Sequence, residues 1–293
     1  MSKHEDLLER FAKGRILFDG GLGTMLIAAG LTAGAPPDEW NLSHPDVLLR
    51  IHKAYLDAGS DFISTNTFGS SPSRLQAHGL EDTPEDVIAA GIRLARSAAD
   101  ESVGSVALSI GPTGKMFPPV GTATQDEIRS EFVAQFRGVD DAVDLVLLET
   151  FLDLREAMIA LEVARATLSH PVGVSLTYNR NPKGFFTIMG NEASQAVREL
   201  ASAGADIIAA NCSIASGDMV DLADVVRAAT TLPILCQPNA GNPIIRNGKA
   251  CYDQTPEEFA DDAIQLYDRG VNAVGGCCGT TPDFIREVAS RIR

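Results

Sequence analysis

Two adjacent cysteines, Cys277 and Cys278, stand near the end of the chain between Gly275-Gly276 and Gly279, and a third, Cys212, follows Asn211 well upstream. Three thiolates brought to one point repel one another unless a cation holds them. Zn²⁺ accepts tetrahedral sulfur ligation at about 2.3 Å. Neighbouring strand residues face opposite ways, so both members of the pair can be ligands only where the backbone leaves the pleat, and the flanking glycines permit that. The other reading has Cys277 in a core and Cys278 against helices. Cys236 lies within an apolar run and reads as a packed free thiol. Cys251, in the loop after the seventh apolar run, reads as structural, and none of the five histidines has metal-ligand spacing.

Other polar residues end short apolar runs. Asp19 and Glu149 are placed to hold a cationic amine, or else are buried hydrogen-bonding carboxylates. Asn66, Asn211 and Asn239 are amides able to orient a ligand. The turn Asp19-Gly20-Gly21-Leu22-Gly23-Thr24 lacks the third glycine of a dinucleotide fingerprint and the lysine of a P-loop. Its amides suit the anionic group of a small ligand, with tight packing as the alternative.

These residues must be positioned by repeating elements. Short apolar runs at 16–19, 62–65, 106–110, 145–149, 172–177, 207–211, 234–237 and 273–276 read as strands. They alternate with helical periodicity at 45–58, 83–99, 124–142, 154–167, 193–203, 217–229, 255–269 and 282–291. Thr83-Pro84, Thr255-Pro256 and Thr281-Pro282, each followed by acids, mark helix starts. Eight strand-crossover-strand units predict an α/β fold, a closed (β/α)8 TIM barrel over residues 1–293 as one domain, with chemistry at the C-terminal strand ends. Asp19, Asn66, Glu149, Asn211, Cys212, Asn239, Cys277 and Cys278 all fall there. The first crossover, 20–42, is long enough for an excursion over the mouth, and 239–253 reads as a rim loop.

Composition excludes several classes. With 24 Lys and Arg against 39 Asp and Glu, the formal charge is -15, which repels phosphate backbones and anionic membranes. No apolar stretch approaches a membrane span, and the first fifteen residues lack the apolar core of a signal peptide. An odd count of 5 cysteines points to thiols or metal ligands in a reducing compartment. The expected location is cytoplasmic.

The motifs Asp19-Gly20-Gly21-Leu22-Gly23-Thr24, Asn66-Thr67-Phe68-Gly69, Gly111-Pro112-Thr113-Gly114, Glu149-Thr150, Asn211-Cys212-Ser213, Pro238-Asn239-Ala240-Gly241 and Gly275-Gly276-Cys277-Cys278-Gly279-Thr280-Thr281-Pro282 together resemble the homocysteine S-methyltransferase family. Within it the chain is most similar to the homocysteine-binding module of cobalamin-dependent methionine synthase. The resemblance implies zinc on Cys212, Cys277 and Cys278 as the catalytic centre, with Asn239 as a replaceable fourth ligand. It places Asp19, Glu149 and the backbone of Gly20, Gly21 and Gly23 around the amino-acid end of homocysteine or another small thiol, with Asn66 and Asn211 as orienting groups. It also implies methylcobalamin as donor, carried by a corrinoid-binding protein or domain, because no corrinoid signature occurs in these residues. The alternative is a small onium donor, such as S-methylmethionine or a betaine, bound in an aromatic-lined pocket drawn from Phe68, Phe117, Tyr178, Phe185, Phe186 and Tyr252.

Overall fold

The computed structural model describes residues 3–32, 34–102, 104–246 and 249–293. Twelve strands occur among them: β1 (Ile16–Leu17), β2 (Phe62–Ser64), β3 (Ser105–Ile110), β4 (Leu145–Phe151), β5 (Val172–Leu176), β6 (Asn179–Asn181), β7 (Gly184–Phe186), β8 (Ile207–Ala215), β9 (Ile234–Asn239), β10 (Ile244–Arg246), β11 (Lys249–Cys251) and β12 (Ala273–Val274). Eight of them form one parallel sheet in the order β1-β12-β9-β8-β5-β4-β3-β2, and each falls on a predicted run. A parallel bridge between Phe18 and Phe62 links its two edges. Across the same seam Leu17 accepts the Asp61 N–H at 2.6 Å, and the Asp61 carboxylate accepts the Leu17 N–H at 2.8 Å. The sheet is thus a nearly closed ring, a (β/α)8-like barrel.

Alternation along the strands sorts side chains into two cores. Ile16, Phe18, Phe62, Leu145, Leu147, Ile207 and Leu235 fill the inside of the ring, with Phe18 and Phe62 stacked at 4.7 Å. The helix Lys3–Lys13 adds Leu7 and Phe11 to that inner cluster, so this helix plugs the barrel. The larger core lies between strands and surrounding helices. Among the described residues no helix is long and apolar enough to cross a membrane.

Thr255 makes the full reciprocal cap with Glu258. Thr83 accepts the Asp86 N–H at 3.2 Å, whereas Thr281 makes no side-chain cap bond. The helix expected over 124–142 ends earlier, as Gln125–Phe136. A Cβ at Gly138 would lie 2.8 Å from the Glu85 carbonyl oxygen, so the chain there passes too close to its neighbour for another helical turn.

The long first crossover carries a helix at Leu22–Ala28, a 3-10 turn at Pro37–Glu39 and a short helix at Trp40–Ser43. Buried Asp38 ties it to the end of β2, accepting from Gly69 N–H at 2.8 Å and Ser70 Oγ at 2.7 Å. The loop after β5 holds the antiparallel hairpin β6–β7. The predicted rim loop holds the hairpin β10–β11. Residues 247 and 248 of that loop, and residue 33 of the first crossover, lie outside the described residues.

Candidate metal and substrate site

The cysteine centre is assembled from the ends of two strands. β8 runs in register with β9 up to Asn211 opposite Gln237, then shifts before Ala215 pairs with Asn239. Within the irregularity Cys212 has φ 60° and Ser213 φ 59°, a left-handed conformation that costs a non-glycine residue on the order of 1–2 kcal/mol. That irregularity re-aims Cys212. Cys277 and Cys278 follow β12 in a non-strand loop stitched to its neighbours: Cys277 N–H donates to Pro238 O at 2.8 Å, Ala240 N–H to Cys278 O at 2.9 Å and Gly276 N–H to Asp19 O at 2.9 Å.

Two glycines explain how closely this loop packs. A Cβ at Gly276 would lie 2.2 Å from Thr280 Oγ1, and one at Gly21 only 2.4 Å from the Cys277 carbonyl oxygen. The Gly21 N–H donates to Thr280 Oγ1 at 2.9 Å, so this part of the glycine turn braces the cysteine loop. Gly20 does likewise, with Thr280 and Tyr55 within 3.0 Å of its added Cβ, whereas Gly23 faces open space.

The Cys212, Cys277 and Cys278 sulfurs lie within 4.8 Å of one another. Cys212 Sγ is 3.9 Å from Cys278 Sγ, and Cys277 Sγ is 4.0 Å from Cys278 Sγ. Sulfurs on a tetrahedral zinc at about 2.3 Å stand about 3.8 Å apart, so the trio fits three corners of such a centre and is far too open for a disulfide. Hydrogen bonds from Cys212 and Cys277 hold the Cys278 thiol well below its usual range, while hydrogen bonding to Cys212 and Cys278, then burial, push Cys277 well above it. Ionising all three therefore requires a cation. Asn239, at the end of β9, turns its Oδ1 to the Cys278 N–H at 3.1 Å, leaving that oxygen one further lone pair.

The two acids occupy the same mouth. Asp19, 1% exposed, accepts from Ser64 N–H at 2.7 Å and Ser64 Oγ at 3.0 Å. Burial raises its carboxyl to about 7 against the pull of those bonds, and the charge of Glu149 adds to the rise. Glu149 accepts from Ser109 Oγ and from Asn211 Nδ2 at 3.2 Å. Burial raises it to about 7 as well, with the Cys212 charge contributing. Each acid thus senses a charge across the mouth, and neither has a cationic side-chain partner among its hydrogen bonds.

The amides differ from one another. Asn211 donates to Glu149 and to Thr150 Oγ1 at 2.7 Å, and accepts from Thr150 N–H at 3.0 Å and Ser175 Oγ at 2.6 Å. With all four valences filled it fixes Glu149 and the kink at Thr150, itself at φ 63°. Asn66 donates to Pro37 O at 2.7 Å and Asn41 Oδ1 at 3.2 Å, which fastens the first crossover and leaves only its Oδ1 for another contact. Sequence reasoning missed Ser64, Ser109 and Ser175. Their only signal was position, as hydroxyls near the C-terminal ends of apolar strands. Of the rim aromatics, Phe68, Phe117 and Phe185 each already carry an arginine, Arg74 at 5.2 Å, Arg155 at 4.6 Å and Arg180 at 5.7 Å. Tyr252 instead packs over Gly279, beside the cysteines.

The barrel mouth thus brings together three convergent thiols that could hold a metal ion and two buried carboxyls that, among the described residues, make no hydrogen bond to a cationic side chain. The chain belongs to the homocysteine S-methyltransferase family, whose model matches residues 16–292. It is 32% identical to the methionine synthases of Mycobacterium leprae and Mycobacterium tuberculosis, over 98% of this chain and 25% of each relative. The chain thus spans about a quarter of the length of these curated relatives. In fold it matches the metallated homocysteine methyltransferase MmuM of Escherichia coli with a TM-score of 0.81 and 22% identity, covering 99% of this chain and 100% of that one.

That last match corrects one expectation. A methylcobalamin donor on a corrinoid-binding protein or domain does not fit it, because this one barrel with its rim excursions accounts for the whole of the solved methyltransferase chain. No portion of that chain is left over to carry a corrinoid.

Proposed function

We propose that residues 1–293 act as one unit that methylates the sulfur of homocysteine to give methionine, with zinc on Cys212, Cys277 and Cys278 and a small onium compound as methyl donor. The observation that carries this reading is the spacing of the three sulfurs, 3.9 and 4.0 Å for the two closest pairs, matched to the edges of a tetrahedral centre. Cys212, Cys277 and Cys278 would hold the zinc, which would supply the Lewis acidity that favours the thiolate form of the acceptor at neutral pH. The family's name supports homocysteine as the acceptor, and the mycobacterial methionine synthases, by name, support methionine as the product.

The remaining work falls to the chain's own residues. Asp19 and Glu149 bind the ammonium group, each already oriented by a serine, and Asn211 keeps Glu149 turned inward. Asn239 Oδ1 acts as the replaceable fourth ligand while also holding the cysteine loop by the Cys278 amide. Gly20 and Gly21 serve the site by close packing, and the Gly23 backbone is the part of the turn left open for a carboxylate. Asn66 orients the first crossover over the mouth. The Tyr252 ring suits an onium donor, since a cation over an aromatic face is attracted by about 0.5–2 kcal/mol. No general acid is needed, because an onium leaves as a neutral thioether or amine. Cys212, Cys277 and Cys278 are not in disulfides, which suits a reducing, cytoplasmic setting.

X-ray absorption at the zinc edge tests the acceptor step. The expected result is three sulfur neighbours without substrate and four with homocysteine. An unchanged coordination shell on adding saturating homocysteine would refute it.

A further inference from the structure

Near the end of β9, Leu235 belongs to the inner cluster and Cys236 to the outer one, so alternation turns the next side chain, Gln237, into the barrel. Gln237 is 4% exposed, and its Oε1 is buried with no hydrogen-bond partner among the described residues. On one side it stands in register with Asn211 of β8, the amide that donates to Glu149 at 3.2 Å. On the other side lies Gly275, where an added Cβ would come 3.2 Å from Gln237 Cγ, 3.0 Å from the Asp19 carbonyl oxygen and 2.6 Å from Phe18 Cβ. Only glycine fits there, and across it Gln237 approaches the residue that carries the first acid. The unpaired oxygen therefore sits along the rim between Asp19 and the amide that orients Glu149.

We infer that Gln237 Oε1 is the third acceptor for the ammonium group of the substrate, completing a tripod with Asp19 and Glu149 and making the site specific for a primary amine. This rests on the proposed capture of that ammonium by the two acids. A primary ammonium brings three N–H donors and no acceptor, and two carboxylates face only two of them. A buried acceptor left without a donor is costly, and the third N–H removes that cost when the ligand enters. A third carboxylate at this place would add like charge beside two acids that already disfavour each other's ionisation. An amide supplies the oxygen without the charge.

The test counts N–H groups. Calorimetry on the full chain compares methionine, N-methylmethionine and 4-(methylthio)butyrate, in the parent and in Gln237→Met, a substitution of similar volume that removes the acceptor. N-methylmethionine keeps two N–H groups, enough for the two acids alone. The parent is expected to bind it about 10–100-fold more weakly than methionine, the worth of one hydrogen bond to a charged group. Gln237→Met is expected to bind methionine weakly by the same factor and to hold the two amines within about twofold of each other, the added methyl now meeting an apolar side chain. A parent that binds both amines alike overturns the inference, and so does a Gln237→Met protein that keeps the parent's preference. Failure of the underlying reading shows elsewhere: the parent would then bind methionine no better than 4-(methylthio)butyrate, which has no amine at all.

Discussion

The two carboxyls raised to about 7 set a quantitative expectation for ligand capture. An ammonium group favours their ionised forms, so binding must pull protons off Asp19 and Glu149. Near pH 7 each is about half ionised, and capture by both releases about one proton in total. One unit below, affinity falls about fivefold if one carboxylate is required and about thirtyfold if both are. Methionine is the ligand of choice, because it carries the ammonium but no titrating thiol. Calorimetry in buffers of different ionisation enthalpy reads the protons directly, and 4-(methylthio)butyrate, lacking the amine, serves as the control. The expected outcome is a pH-dependent affinity with proton release for methionine and neither for the control. Equal pH dependence for the two ligands, or none for methionine, would refute the assignment of these acids to an amine.

The same shifts have a sign for stability. Folded-state carboxyl pKa values above the unfolded ones stabilise fully below about pH 4, and that contribution is lost as pH rises through about 7. Asp19→Asn is therefore expected to raise the melting temperature of the ligand-free protein at pH 8 and not at pH 4, while weakening methionine binding; a lower melting temperature at pH 8 would contradict this. Gly21→Ala places a Cβ against the Cys277 carbonyl while Gly23→Ala meets open space, so the first should lose zinc and the second keep it, read as metal content of purified protein. Asn211→Leu leaves the buried partners of four hydrogen bonds unmatched. At about 1 kcal/mol or more each, a loss of several kcal/mol in chemical denaturation is expected, together with weaker methionine binding.

Sequence periodicity located every barrel strand because a strand buried on both faces must be a short apolar run, and of the three helix starts marked by Thr-Pro, Thr83 and Thr255 are capped while Thr281 is not. The three cysteines were legible for a related reason, since they fall at strand ends that a barrel brings to one face. Local backbone was not legible. Cys212, Ser213 and Thr150 take positive φ without being glycine, so nothing in their residue types announced the irregularities that aim the site. The two rim hairpins have strands of three residues each, too short for alternation to register. Asn211 and Asn66 looked like ligand-facing amides by position, yet hydrogen-bond partners from distant strands and crossovers engage them. The motifs that describe the acceptor pocket carried no sound information about the methyl donor, because they lie at the cysteines and acids and not where a donor would be recognised.

The most direct measurement is formation of methionine from homocysteine by the zinc-loaded protein with S-methylmethionine as donor, followed by mass with an isotopically labelled methyl group. The expected result is labelled methionine that disappears after zinc removal and in Cys278→Ala. Stoichiometric zinc on the three cysteines with no labelled methionine from this sulfonium, nor from a betaine, would contradict the account.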